Sequence, residues 1–188
     1  LHLRLIVADA VAVQVGKRLA GIPHSIAIAV RVVFHHVHRE RSLLHVVGRG
    51  TLADVPAALV AEMPGRVRWT EQLTTPEVAR AMDDASVLLL ASRSEGLPRI
   101  AVEAFCRGRP VLGSRAGGIP DLVTDGVNGL LVPAADPAAL ADAIVRLATE
   151  PGLAARLGER ARQDADGWVA TPEDYARRTR ELVERVTA

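Results

Sequence analysis

The chain has 188 residues, enough to bury the core of one domain but not of two. Apolar residues make up 49% and charged residues 24%, and a formal net charge of +1 leaves no global field to draw the chain to nucleic acid or an acidic membrane. Cys106 is the single cysteine, which excludes an internal disulfide and favours a reducing, cytoplasmic setting, and no apolar run is long enough to span a bilayer.

The first 41 residues follow no clean pattern. The apolar start, Leu1 to Gly16, lacks a basic flank and a small-residue cleavage site, so it reads as strand rather than signal peptide. Ile26, Ala29, Val30, Val33 and Val37 keep helical spacing. We take 1–41 as the first strand and helix of the same domain that occupies 42–188. His35, His36, His38 and His45 crowd the end of that helix. Their spacing does not gather them on one face and no carboxylate or thiol stands among them, so a solvated helix end is expected rather than a metal centre.

From Ser42 onward strands and helices alternate. Leu43–Val47 is a short apolar run before Gly48-Arg49-Gly50, and Leu52–Glu62 is helical in pattern with an interruption expected at Pro56. Arg66–Thr70 reads as a strand. Thr75-Pro76-Glu77 offers an N-cap, a proline at the first helical position and an acidic first turn for a helix to Asp83. Ser86–Ala91 (SVLLLA) is continuously apolar, as a strand buried on both faces would be. Pro98 should open a helix to about Arg107, on which Cys106 is expected to be a buried small hydrophobe. Pro110–Gly113 and Gly129–Val132 are strands, separated by a tight Gly117-Gly118 loop and a helical turn over Ile119–Val123. Asp136-Pro137 caps a helix to Leu147, and Leu153–Ala165 and Asp174–Val186 are further helices. Trp69 and Trp168 are expected to pack rather than to stack on a base. The alternation predicts an α/β fold: a Rossmann-like open parallel sheet with helices on both faces and right-handed crossovers.

One stretch carries chemistry. Ser92 to Glu103 (SRSEGLPRIAVE) leaves a buried strand and enters a helix, and ligands of open α/β sheets bind outside the carboxyl ends of the strands. A helix N-terminus there presents unpaired N–H groups and a partial positive charge, which suit a diphosphate. Gly96 lets the backbone approach a ligand, and Pro98 sets the first turn without removing a useful donor, leaving those of Leu97, Arg99 and Ile100. Glu103 lies about 7.5 Å along the helix at 1.5 Å per residue, close to the span from a phosphate to the ribose of the same nucleotide. A carboxylate at that depth can accept from both ribose hydroxyls. Glu95, before the helix, lies beyond the phosphates, where it can orient a further group or stabilise positive charge. No Gly-x-Gly-x-x-Gly opens a helix after a strand, which argues against a dinucleotide-dependent dehydrogenase.

The series Ser92-x-x-Glu95-Gly96-Leu97-Pro98, Glu103-Ala104-Phe105, Gly108-x-Pro110-Val111, Gly117-Gly118-Ile119-Pro120-Asp121 and Asp125-Gly126-Val127-Asn128-Gly129-Leu130-Leu131-Val132-Pro133 resembles the C-terminal domain of glycosyltransferase family 4, one half of the GT-B fold. Val46-Val47-Gly48-x-Gly50 upstream and Asp136-Pro137-x-x-Leu140-Ala141 downstream extend the likeness over about 42–168. The resemblance implies a nucleotide-diphosphate sugar donor, retention at the anomeric carbon, and no metal or other cofactor. It assigns Glu95, the expected catalytic residue, to the transferred sugar and Glu103 to the ribose. It also implies an N-terminal acceptor domain or partner chain, without which the chain alone is expected to be inactive, and a cytoplasmic enzyme that is peripheral to the membrane when whole. The family draws an Arg and a following Lys from the loop after its first strand to offset diphosphate charge. Gly16-Lys17-Arg18-Leu19 matches the Arg, but Lys17, the only lysine, precedes Arg18 instead of following it. Asp121 stands where Glu is usual and Glu71 where Gly is frequent. The alternative to a donor-binding domain is a non-catalytic remnant or interaction module that keeps the half-fold.

Overall fold

A computed structural model describes residues 44–48 and 53–187. In chain order the elements are β1 (Leu44–Val47), α1 (Asp54–Glu62), β2 (Val67–Thr70), α2 (Thr75–Asp83), β3 (Leu88–Leu90), α3 (Arg99–Cys106), β4 (Val111–Ser114), α4 (Ile119–Leu122), β5 (Gly129–Val132), α5 (Pro137–Thr149), α6 (Leu153–Ala165) and α7 (Pro172–Thr187). β1 pairs with β2, and β3, β4 and β5 form a second set in that order, all parallel.

The pleat sorts the apolar strand residues into two layers. Leu88 and Leu90 of β3 and Val111 of β4 pack with Ala101, Ala104 and Phe105 of α3 and with Ile119 and Leu122 of α4. Leu89, Leu112, Leu130 and Val132 face the other way, toward Leu59 of α1, Leu140 and Leu147 of α5, and Leu153 and Leu157 of α6. Leu44, Val46 and Val67 belong to this second layer. The continuous apolar run at β3 thus serves both faces, and the architecture is the Rossmann-like α/β arrangement expected. Helix α6 contributes Leu153 and Leu157 to one layer and Ala161 and Ala165 to the other, so it passes from one face to the opposite one alongside β5.

Several boundaries differ from expectation for local reasons. Pro56 does not interrupt α1: it is the third residue, where the N–H has no intrahelical acceptor to lose. The cap of α2 is Thr74 rather than Thr75, because Glu77 reaches back three residues and accepts from the Thr74 N–H (2.7 Å) and hydroxyl (2.6 Å). Thr171 and Asp174 repeat this spacing, the Asp174 N–H donating to Thr171 Oγ1 at 3.1 Å, and α7 accordingly starts at Pro172 rather than Asp174. Asp136 caps α5 as expected, Oδ1 accepting from the N–H groups of Ala138 (3.1 Å) and Ala139 (3.0 Å).

Three side chains stand elsewhere than expected. Cys106 is exposed: α3 buries Ala101, Ala104 and Phe105, and Cys106 shares the outward side of the helix with Glu103. His45 belongs to no solvated helix end. It is buried in β1, with Nε2 2.9 Å from Thr70 Oγ1 of β2. His35, His36 and His38 lie outside the described residues. Trp69 is half-buried against the second layer, its indole N–H donating to the Gly48 carbonyl at 3.0 Å, whereas Trp168 is exposed. Among the described residues no helix is long and apolar enough to cross a membrane.

Candidate functional site

Two neighbouring strands deliver the site. Leu90 ends β3 in the core, and the chain leaves the sheet at its carboxyl edge through Ser92 to Leu97 before turning into α3. Pro98 is the N-cap rather than the first helical residue, so α3 opens at Arg99, one residue later than expected; the Pro98 backbone is extended (φ −74°, ψ 101°) and its carbonyl accepts from the Ala101 N–H at 2.9 Å. The N–H groups of Leu97, Arg99 and Ile100 have no acceptor among the described residues. They lie at the N-terminal, positive end of the α3 dipole. Leu97 and Arg99 are exposed and Ile100 is half-buried.

The two glutamates differ in setting. Glu103, fifth residue of α3, is exposed on its outward side. Glu95 is half-buried, and its Oε2 accepts from the Ser92 hydroxyl at 3.0 Å. Its other oxygen, Oε1, has no partner among the described residues. Beside Gly96 the space that a Cβ would take is empty out to 4 Å, so the backbone there is open to an approaching molecule. Lys17 and Arg18 lie outside the described residues.

The loop that follows β4 completes the corner, and its contribution was not legible beforehand beyond a tight turn. Gly117 has φ +53°, and a Cβ on it would stand 1.7 Å from the Glu95 carbonyl oxygen. A Cβ on Gly118 would stand 2.6 Å from the Gly96 carbonyl oxygen, which accepts from the Gly118 N–H at 3.0 Å. The double glycine is therefore the contact surface that lets the β4 loop lie directly on Glu95-Gly96. Below it, the buried Ser114 hydroxyl donates to the Ser92 carbonyl, with the Leu90 carbonyl a second acceptor at 3.3 Å.

The segment Asp125 to Pro133 serves the scaffold. Buried Asn128 accepts from the Thr124 N–H at 2.8 Å and donates to the Leu122 carbonyl at 3.2 Å and to Asp164 of α6 at 2.9 Å. Asp125 accepts from the Leu131 N–H at 2.9 Å and pairs with Arg115 at 2.9 Å.

The model of the family described as glycosyl transferases group 1 matches residues 11–150, and the chain belongs to that family. It is 39% identical to D-inositol 3-phosphate glycosyltransferase of Streptomyces bingchenggensis over 116 residues, 58% of this chain and 26% of the relative, so it spans about a quarter of that curated relative. Among solved structures it resembles sucrose-phosphate synthase from Thermosynechococcus elongatus, with a TM-score of 0.68 and 26% identity over 94% of this chain and 42% of that one. It also resembles S. aureus TarM, solved in complex with UDP among other ligands, with a TM-score of 0.63 and 25% identity over 72% of this chain and 28% of that one. The parallel strands and flanking helices described above are one half of the GT-B fold.

Proposed function

We propose that this chain is the donor-binding domain of a retaining glycosyltransferase, moving a sugar from a nucleotide-diphosphate sugar to an acceptor. The observation that carries the reading is the pair Glu95 and Glu103 flanking an uncapped helix N-terminus at the carboxyl end of a buried parallel strand. The N–H groups of Leu97, Arg99 and Ile100 hold the diphosphate, aided by the helix dipole. Glu103 accepts from the ribose hydroxyls. Glu95 orients the transferred sugar and stabilises positive charge as it develops at the anomeric carbon, and open Gly96 admits the ligand. Arg18, with Lys17 beside it, offsets charge on the departing diphosphate, so no metal cofactor is required. An N-terminal GT-B domain or partner chain supplies the acceptor side, in the cytoplasm or at its membrane surface. The UDP held by S. aureus TarM supports the choice of ligand class.

Calorimetry with UDP, GDP and ADP tests the reading. One of the three is expected to bind, and Glu103→Ala to weaken it by about 1.5–3 kcal/mol, roughly ten- to a hundredfold, as loss of charge-assisted hydrogen bonds does. Absence of binding by all three at millimolar concentration would overturn it. The order Lys17-Arg18 favours a second reading, a non-catalytic module that keeps the half-fold. That reading is supported if nucleotide binds but no transfer follows when an N-terminal GT-B domain is supplied.

A further inference from the structure

The geometry points to Ser92 as a positioning residue that fixes the Glu95 carboxylate toward the donor sugar, an inference that rests on the reading of Glu95 above. Ser92 is one of few polar side chains buried among the described residues, at 5% exposure, and stands where the chain has just left β3. Its hydroxyl carries one proton, and the acceptor within reach is Glu95 Oε2 at 3.0 Å. Its own carbonyl is held by the Ser114 hydroxyl, which projects from the end of β4. The result is a chain of contacts from the core of the sheet through Ser114 and Ser92 to one oxygen of Glu95.

A half-buried glutamate otherwise has several rotamers, each pointing its charge differently, and settling on one costs free energy when ligand binds. Tying Oε2 to a buried hydroxyl selects a rotamer and leaves Oε1 free to meet the ligand. The backbone of Glu95 is fixed independently, by Gly117 against its carbonyl and by the Gly118 N–H on the Gly96 carbonyl. Side chain and main chain of the same residue are therefore both set before any donor arrives. Ser92 touches no substrate in this scheme; it acts through Glu95.

The test measures two affinities on the full chain: for the nucleoside diphosphate that binds best among UDP, GDP and ADP, and for its glucose ester. Wild type, Ser92→Ala, Ser92→Thr and Glu95→Ala are compared, with a melting curve for each. Ser92→Ala is expected to weaken the glucose ester about three- to tenfold, the scale of one hydrogen bond, and to leave the free diphosphate unchanged within about twofold. Ser92→Thr keeps the hydroxyl and should restore the wild-type ratio. Glu95→Ala should shift the same ratio at least as far. A Ser92→Ala protein that loses both ligands equally, or keeps the wild-type ratio while Glu95→Ala changes it, overturns the positioning role and leaves the donor-site reading intact. A ratio unmoved by Glu95→Ala, or a wild type that binds no diphosphate, overturns that reading and the inference with it. Should Ser92→Ala fail to fold, Ser114→Ala gives the second arm: releasing the Ser92 carbonyl is expected to shift the ratio in the same direction, and an unshifted ratio counts against the scheme.

Discussion

Gly117 shows how much a single residue can decide. Its backbone is left-handed and its missing Cβ is the space taken by the Glu95 carbonyl, so alanine there meets both a conformational penalty and a main-chain clash. Gly117→Ala is expected to destabilise the fold by at least about 1–3 kcal/mol in urea unfolding. It should also weaken binding of a nucleotide sugar, because relief of the clash must move the Glu95 loop. Glu77 shows a residue whose effect depends on pH. Hydrogen bonds from the Thr74 hydroxyl, and then from its N–H, hold the Glu77 carboxyl below the usual glutamate range. A depressed folded value means the stabilisation is complete above the ordinary range and is lost as pH falls through the folded value. The melting difference between wild type and Glu77→Ala should therefore be constant near neutral pH and shrink as pH descends through the carboxylate range. The strand-to-helix turn that carries Glu95 and Glu103 was legible at this scale because an apolar run followed by glycine and proline marks it. The Ser92 hydrogen bond was not, since nothing in a three-residue spacing within a loop says which way the chain bends. Cys106 was misread because an apolar neighbourhood in sequence is not a face of a helix: the residues one and two places before it point inward, and it does not.

Elements were easier to read than their ends. Strands β1 to β5 and the helices fall on the expected segments because apolar runs and caps locate them. The shifts at α2 and α7 come from a threonine and an acidic residue three positions on, a reciprocal pairing that outranked a neighbouring candidate. Asp136 was readable outright, having proline and alanines behind it and a single residue able to cap. Asp136→Ala should cost about 0.5–2 kcal/mol in urea unfolding, the range for a lost N-cap, while Asp136→Asn or Asp136→Ser should recover most of it. His45 escaped the reading because a histidine within an apolar run has two plausible sites, and its pairing with Thr70 depends on the register of β1 against β2.

For the molecule as a whole, the alternation of elements was enough to foresee a parallel sheet covered on both faces. Which helix covers which face was not, because that depends on where each crossover turns. Helix α7 stands apart from the rest: none of its side chains is buried, and Tyr175, Leu182, Val183 and Val186 are exposed. Its own surface is braced by Arg177, which pairs with Asp174 and Glu181, both at 3.1 Å. Since it adds no core, truncation before Pro172 is expected to shift the melting temperature of this chain by less than about 2 °C. Hydrogen exchange should find its amides among the least protected of the helical ones. A large drop in melting temperature would mean that α7 is held by packing in solution.

The seam between Gly117-Gly118 and Glu95-Gly96 has a consequence for the thermodynamics of capture. Two loops that close separately over a ligand each surrender freedom at the moment of binding. Here one lies on the other without intervening side chains, joined by a main-chain hydrogen bond, so they are ordered as a single body when the sheet forms. The entropy of shaping this corner is spent during folding, and a molecule that docks there meets a mould already set.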